Sequence, residues 1–393
     1  MQKFQADWVY PVSSPPVKEG VIITDDDGMI IDIMTAPEYP EGDIRRYHGT
    51  IVPGFINTHC HLELSHMKGV MDTGTGLIPF INDVVGKRNA PPEVIEQAIS
   101  DAEDEMLRNG IVAVGDISNV TDTFAQKQLG RLRYYTFVEM FDFLQEREAQ
   151  KWFDQYRSVF QLLPLSDGHR KTCVPHAPYS VSNRLFGLIN ESNRESVQTV
   201  SIHNQEMDAE NALFRDKSGA LPEFYSGFNI SLGEFISTGR TSIYYAVQNM
   251  DPEHRTLFVH NILTTAEEIR DAHAWSDKVY WATNPNANLY IENRLPDYAV
   301  FMQNNARMTI GTDSLASNWQ LSILEEMKTI VRYKSYVPFE ILLRWATLNG
   351  AEALGFTDTL GSIQPGKKPG LNLLNFNPDT ESLHQNVQVS RLV

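Results

Sequence analysis

The sequence predicts an α/β chain. It reads as a (β/α)8 TIM barrel over residues 51–359, with a small β-sandwich domain formed by the N- and C-terminal segments, residues 1–50 and 360–393. Three observations predict it. Eight short apolar runs recur through the middle of the chain, most of them preceded by a helix-length amphipathic stretch, which is the pattern of a closed parallel sheet. Five of those runs end in His, Asp or Glu, and barrel enzymes carry their chemistry at the C-terminal ends of their strands. Both termini instead read as short strands and turns, from "DWVYPV", "EGVIIT" and "GMIIDIM" to "GLNLLNFN" and "VQVSRLV".

In order, the runs are "IVPGFINTH" ending at His59, "GIVAVGDI" at Ile117, "RYYTFVEMF" at Phe141, "KTCVPHAPY" at Tyr179, "TVSIHNQE" at Glu206, "TLFVHN" at Asn261, "VYWATNP" at Pro285 and "MTIGTDS" at Ser314. Between them, "PEVIEQAISDAEDEMLRNG" reads as an amphipathic helix stopped by Gly110, and "SILEEMKTIVRYKSYVP" as another. The acidic run Asp25-Asp26-Asp27-Gly28 has the chemistry of a hairpin turn between two strands. His48, His169, His254, His273 and His384 fall in predicted helices and loops and are expected at the solvated surface.

The bulk numbers exclude more than they select. The chain has 393 residues, 42% hydrophobic and 21% charged, with a formal net charge of −17. That charge argues against a nucleic-acid partner, which needs a basic patch, and says little about the small-molecule substrate expected on other grounds. Cys60 and Cys173 are the two cysteines, too few for a disulfide framework. The N-terminus lacks an apolar targeting segment and no run reaches the ~20 residues of a membrane span, so a cytoplasmic protein away from membranes is expected. The sequence allows a homodimer and does not determine the oligomeric state.

The chemistry gathers at the run ends. His59 and His61 stand two apart, so on a strand they share one face while Cys60 points to the other. Such a pair also occurs by chance; its company on later strands gives it meaning. His203 follows "TVSI" and Asp313 follows "MTIGT". Three imidazoles and a carboxylate suit one divalent metal ion, Zn²⁺ first and Fe²⁺ or Mn²⁺ as alternatives. A metal there brings the pKa of its water to about 7. Asp313 can orient that water and accept its proton. Glu206, three residues past His203, can donate a proton to a substrate nitrogen. His260 can ligate the metal or stabilise the attacking water, and the second role fits better once four ligands are counted.

"PGFINTHCHLELS", "VPHAPYSVS", "HNQE", "FVHN" and "GTDSLASN", in this order, resemble the amidohydrolase superfamily, in particular its mononuclear-metal branch of deaminases and chlorohydrolases. The resemblance covers nearly the whole chain. It implies metal ligation by His59, His61, His203 and Asp313, and proton shuttling by Glu206, His260 and Asp313. It implies substrate contact by His176. Dinuclear members carry a bridging carboxylated Lys on the fourth strand; here Lys171 lies too far back, so one metal and a deaminase are implied. The reaction implied is hydrolytic deamination of an aromatic N-heterocycle, with release of ammonia. The sequence departs from the branch at Thr283-Asn284, where a Cys commonly precedes the Pro, and in "GKKPGLNLL".

"HCHLELSHMKG" followed by "GTGLIPFINDVVGKRN" is similar to the deaminases of the futalosine route to menaquinone. That likeness implies 6-amino-6-deoxyfutalosine as the substrate. Glu63, Ser65, His66 and Lys68 are then candidates for substrate contact, and Lys68, Arg88 or Arg147 for pairing with the substrate carboxylate. Each of these cations has a surface role as its alternative. Glu139 can meet a ribose hydroxyl or pair within the barrel. Deaminases of guanine, cytosine, methylthioadenosine or S-adenosylhomocysteine remain the competing readings. A non-catalytic binding module on the same fold is the remaining one, although it would be expected to lose metal ligands.

Overall fold

The computed structural model describes residues 1–35, 42–166 and 168–393. The two chain ends meet in one seven-stranded sheet. Its N-terminal strands are β1 (Gln2–Val9), β2 (Val17–Lys18), β3 (Val21–Thr24), β4 (Ile30–Met34) and β5 (Arg45–Pro53). Eight barrel strands follow: β6 (Phe55–Cys60), β7 (Ile111–Ile117), β8 (Arg133–Met140), β9 (Arg170–Pro175), β10 (Thr199–Asn204), β11 (Arg255–His260), β12 (Val279–Thr283) and β13 (Met308–Ile310). The C-terminal strands β14 (Leu371–Leu374) and β15 (Val389–Arg391) return to the terminal sheet, whose order is β15-β14-β5-β1-β3-β4 with β2 beside β1. Phe4, Val9, Ile22, Ile51, Ile363 and Leu371 pack together in that unit, residues from both chain ends in one small core. The acidic run is the hairpin turn between β3 and β4. Asp25 Oδ1 accepts N–H groups from Asp27 at 3.0 Å and Met29 at 2.7 Å, and Gly28 supplies the positive φ of 81°.

The barrel strands form two four-stranded parallel sheets, β6-β7-β8-β9 and β10-β11-β12-β13. Backbone hydrogen bonds join them at both seams. His203 N–H donates to His176 O at 2.9 Å, and Thr312 and Asp313 N–H both donate to His59 O at 3.0 Å. The residues at these seams are candidates for the chemistry, so barrel closure and site assembly share the same bonds. The first apolar run divides in two. Ile51–Pro53 belongs to β5 and the barrel starts at Phe55, with Gly54 between them. A Cβ at Gly54 would lie 2.3 Å from Val112 Cγ1 and 2.6 Å from Pro369 O, so only glycine fits where the two units touch.

The two predicted helices form at Pro92–Arg108 and Ile323–Tyr333. Gly110 follows the first with φ 73°, and Ser322 caps the second by accepting Glu325 N–H at 3.4 Å. His254 corrects the surface expectation. It is buried, and its Nδ1 accepts Gln198 N–H at 3.3 Å. Among the described residues, no helix is long and apolar enough to cross a membrane.

Candidate active site and metal centre

Six of the eight strands end before the predicted runs do; His59, His203 and His260 lie within strands, and His61, Glu206 and Asp313 occupy the turns just beyond. Four positions at or just past strand ends, Gln205, His260, Asn261 and Asp313, have positive φ of 49°, 73°, 59° and 58°. A non-glycine residue takes that conformation at a cost. His260 and Asp313, with His61, His176, His203 and Glu206, line a cavity of about 230 Å³.

Its floor gathers the predicted ligands. His59 Nε2 and His61 Nε2 lie 3.2 Å apart, and Asp313 Oδ1 is 3.6 Å from the first and 3.4 Å from the second. His59, His61 and His203 each offer a ring nitrogen within 4.8 Å of the others. His203 Nδ1 donates to His176 O at 2.8 Å, which holds its proton there and leaves Nε2 free. Burial first, then the neighbouring imidazoles, pushes His61 down to about 3 and His203 well below the ordinary range. Burial pushes the Asp313 carboxyl up. The imidazoles of His59, His61 and His260 beside it outweigh that and hold it well below the carboxylate range. Three crowded imidazoles and one carboxylate fit one divalent cation.

The residues predicted to handle protons sit beside them. Glu206 is 4% exposed, and burial, with Asp313 and Glu292 nearby, pushes its carboxyl well up. His260 Nε2 lies 3.6 Å from Glu206 Oε2. Its Nδ1 meets Asn288 Oδ1 at 2.8 Å, so the proton stays on Nδ1 and Nε2 faces the cavity as an acceptor. Asp313 Oδ2 accepts a hydrogen bond from Ser317 at 2.7 Å.

The substrate candidates divide. His176, Glu63, Glu139 and Arg88 line the cavity. His176 Nδ1 bonds Ser180 Oγ at 2.6 Å, which orients its ring. Glu139 Oε1 is buried without a hydrogen-bond partner, 3.4 Å from His203 Nδ1, and burial pushes its carboxyl up to about 8. Glu63 accepts Asn119 N–H at 2.9 Å and faces Arg88 at 3.7 Å. Ser65, Lys68 and Arg147 lie outside the lining. Ser65 donates to Leu62 O at 2.7 Å within its own turn, and Lys68 pairs with Glu105 at 3.3 Å. Arg147 is 80% exposed and pairs with Glu234. His66 bonds Arg88 O at 2.8 Å. Lys171 Nζ donates to Phe160 O and Leu163 O at 2.7 and 2.8 Å, near the start of β9 and away from the metal ligands.

The sequence points to the segment after the first barrel strand as the cover of the pocket, but it singles out only polar residues there and not the apolar wall. Leu77, Phe80, Ile81 and Val84 of the helix Leu77–Lys87, with Phe141 and Phe143, give the cavity an apolar side. The only signal was the apolar spacing in "LIPFINDVV", which any core-facing helix shares.

The pattern of the Amidohydrolase family matches residues 50–393. The chain is 26% identical over 334 residues to adenosine deaminase of Helicobacter pylori, covering 84% of this chain and 80% of that one. It is 25% identical over 355 residues to 5′-deoxyadenosine deaminase of Methanococcus vannielii, covering 86% and 77%. Its fold matches the crystal structure of Helicobacter pylori aminofutalosine deaminase in complex with methylthio-coformycin with a TM-score of 0.78. Identity there is 22%, over 96% of this chain and 93% of that one. The chain therefore belongs to the amidohydrolase family and is a hydrolase of carbon–nitrogen bonds.

Proposed function

We propose that the chain is a metal-dependent hydrolytic deaminase of adenine nucleosides, with 6-amino-6-deoxyfutalosine as its substrate. The observation that carries the reading is the convergence of His176, Glu206, His260 and Asp313 at the floor of one cavity. His59, His61, His203 and Asp313 would hold the cation, and this donor set favours zinc. When bound, the cation supplies the charge that makes water acidic near neutral pH.

The side chains do the rest. Asp313 accepts a proton from the attacking water, and His260 Nε2 orients that water. Glu206, protonated in its buried setting, gives its proton to the ring nitrogen beside the carbon that bears the amine. The carbon–oxygen bond forms. The proton on Asp313 passes to the amine, the carbon–nitrogen bond breaks, and ammonia leaves. The proton of the new hydroxyl returns to Glu206 as the carbonyl forms. Each group then has the proton it began with.

The choice of nucleoside is supported from two sides. The relatives named above are deaminases of adenosine, 5′-deoxyadenosine and aminofutalosine. The apolar wall suits a substituent larger than a hydroxyl, and Arg88 at that wall suits a carboxylate on it.

The test is ammonia release from purified metal-loaded protein. The panel comprises 6-amino-6-deoxyfutalosine, adenosine, 5′-deoxyadenosine, methylthioadenosine, S-adenosylhomocysteine, guanine and cytosine. The expected result is the highest kcat/KM on 6-amino-6-deoxyfutalosine. A higher value on guanine or cytosine would overturn the nucleoside reading.

A further inference from the structure

The three histidines at the floor are not held alike. His59 lies within β6 and His203 within β10, so sheet hydrogen bonds hold their backbones. His61 lies one residue past the end of β6 and opens the short turn Leu62–Met67. Its carbonyl accepts Leu64 N–H at 3.1 Å within the turn, and the N–H side of the same peptide is held by the adjacent strand. Leu62 N–H, on the peptide that joins it to His61, donates to Asp116 Oδ1 at 2.8 Å in a buried setting.

Asp116 is itself locked. Its Oδ2 lies 2.6 Å from Lys127 Nζ, and the two side chains are 0% and 2% exposed. Lys127 also donates to Ser118 Oγ at 2.9 Å and Thr136 Oγ1 at 3.1 Å. Three ammonium protons thus meet three acceptors, so the Lys127 head has one place to sit. Asp116 stands opposite Cys60 in the β6–β7 register and is not among the residues that line the cavity. Taking such a pair out of water is costly, and apolar side chains would fill the space at less cost. Fixing the position of one peptide is a use that offsets the cost.

We propose that Asp116, locked by Lys127, is a positioning residue of the metal centre: it fixes the His61–Leu62 peptide and so aims the His61 imidazole. The proposal rests on the reading of His61 as a ligand. Removing a group that orients a ligand typically costs 10–100-fold in metal affinity.

The test compares two double variants by zinc affinity, measured in competition with a chelator. Each is also melted in its metal-free form. D116N/K127M removes both charges and keeps an oxygen that can accept Leu62 N–H. D116L/K127M removes the acceptor as well. The expected result is zinc binding near wild type for the first and 10–100-fold weaker for the second, with cobalt-loaded spectra altered only in the second. Equal loss in both variants, or wild-type affinity in D116L/K127M, would overturn the proposal. If the leucine variant does not fold, D116S/K127M takes its place under the same expectation, since its hydroxyl is too short to reach Leu62. His61→Ala separates the premise from the proposal. If it keeps zinc, the ligand reading fails. If it loses zinc while D116L/K127M keeps it, only the positioning role fails.

Discussion

At the floor of the cavity, His203 and His260 come from barrel strands, with His59 of β6 packed behind His61, and His61, Glu206 and Asp313 come from the turns just beyond them. At the wall, Leu77, Phe80, Ile81 and Val84 come from one helix, joined by Phe141 and Phe143 just past β8. The floor is polar, buried and tied to the barrel seams, where His59 O accepts the N–H groups of Thr312 and Asp313. The wall is apolar, and in its helix only Leu77 is buried. Barrel closure therefore constrains the groups proposed to react, while the surface proposed to meet the rest of the substrate can change without disturbing them. A reaction can persist in such a fold while its substrate changes.

The largest expected effect is at the floor. His59→Ala should lose bound metal by elemental analysis and fall to background ammonia release, while the metal-free forms of variant and wild type melt alike. A variant that kept stoichiometric metal would remove His59 from the ligand set. At the wall the effect should be smaller and of a different kind. Phe80→Ala should raise KM about tenfold for the nucleoside with the bulky 5′ arm and change kcat little, as expected for loss of an apolar contact made equally in the ground and transition states. A fall in kcat on every nucleoside would place Phe80 in the chemistry instead. The smallest effects belong to Lys68→Ala and Arg147→Ala, which remove exposed ion pairs outside the cavity and should leave kcat/KM within about twofold.

The same comparison explains what the sequence could reveal. His59 and His61 were legible because a period of two puts them on one face, and His203, Glu206, His260 and Asp313 because each follows an apolar run. The wall was not legible. "LIPFINDVVGK" is an ordinary amphipathic helix, and nothing local says whether its apolar stripe faces a core or a cavity. Ser65 and Lys68 are close to the ligands in sequence, yet the turn Leu62–Met67 brings the Ser65 hydroxyl back onto Leu62 O, and Lys68 leaves toward Glu105. His254 read as surface because its burial depends on segments distant in the chain; its Nδ1 accepts Gln198 N–H. Asp116 and Lys127 passed unnoticed for the same reason. A charged pair sealed between strand and helix has no signature in a single sequence.

The central claim is that the floor alone carries the proton transfers. Glu206→Gln tests it most directly, because the amide preserves size and polarity but cannot donate the acidic proton. Metal content and kcat should be measured together on the best nucleoside of the panel. The account predicts full metal occupancy with kcat lower by about 10²–10⁴-fold. Near-normal turnover at full occupancy would contradict it.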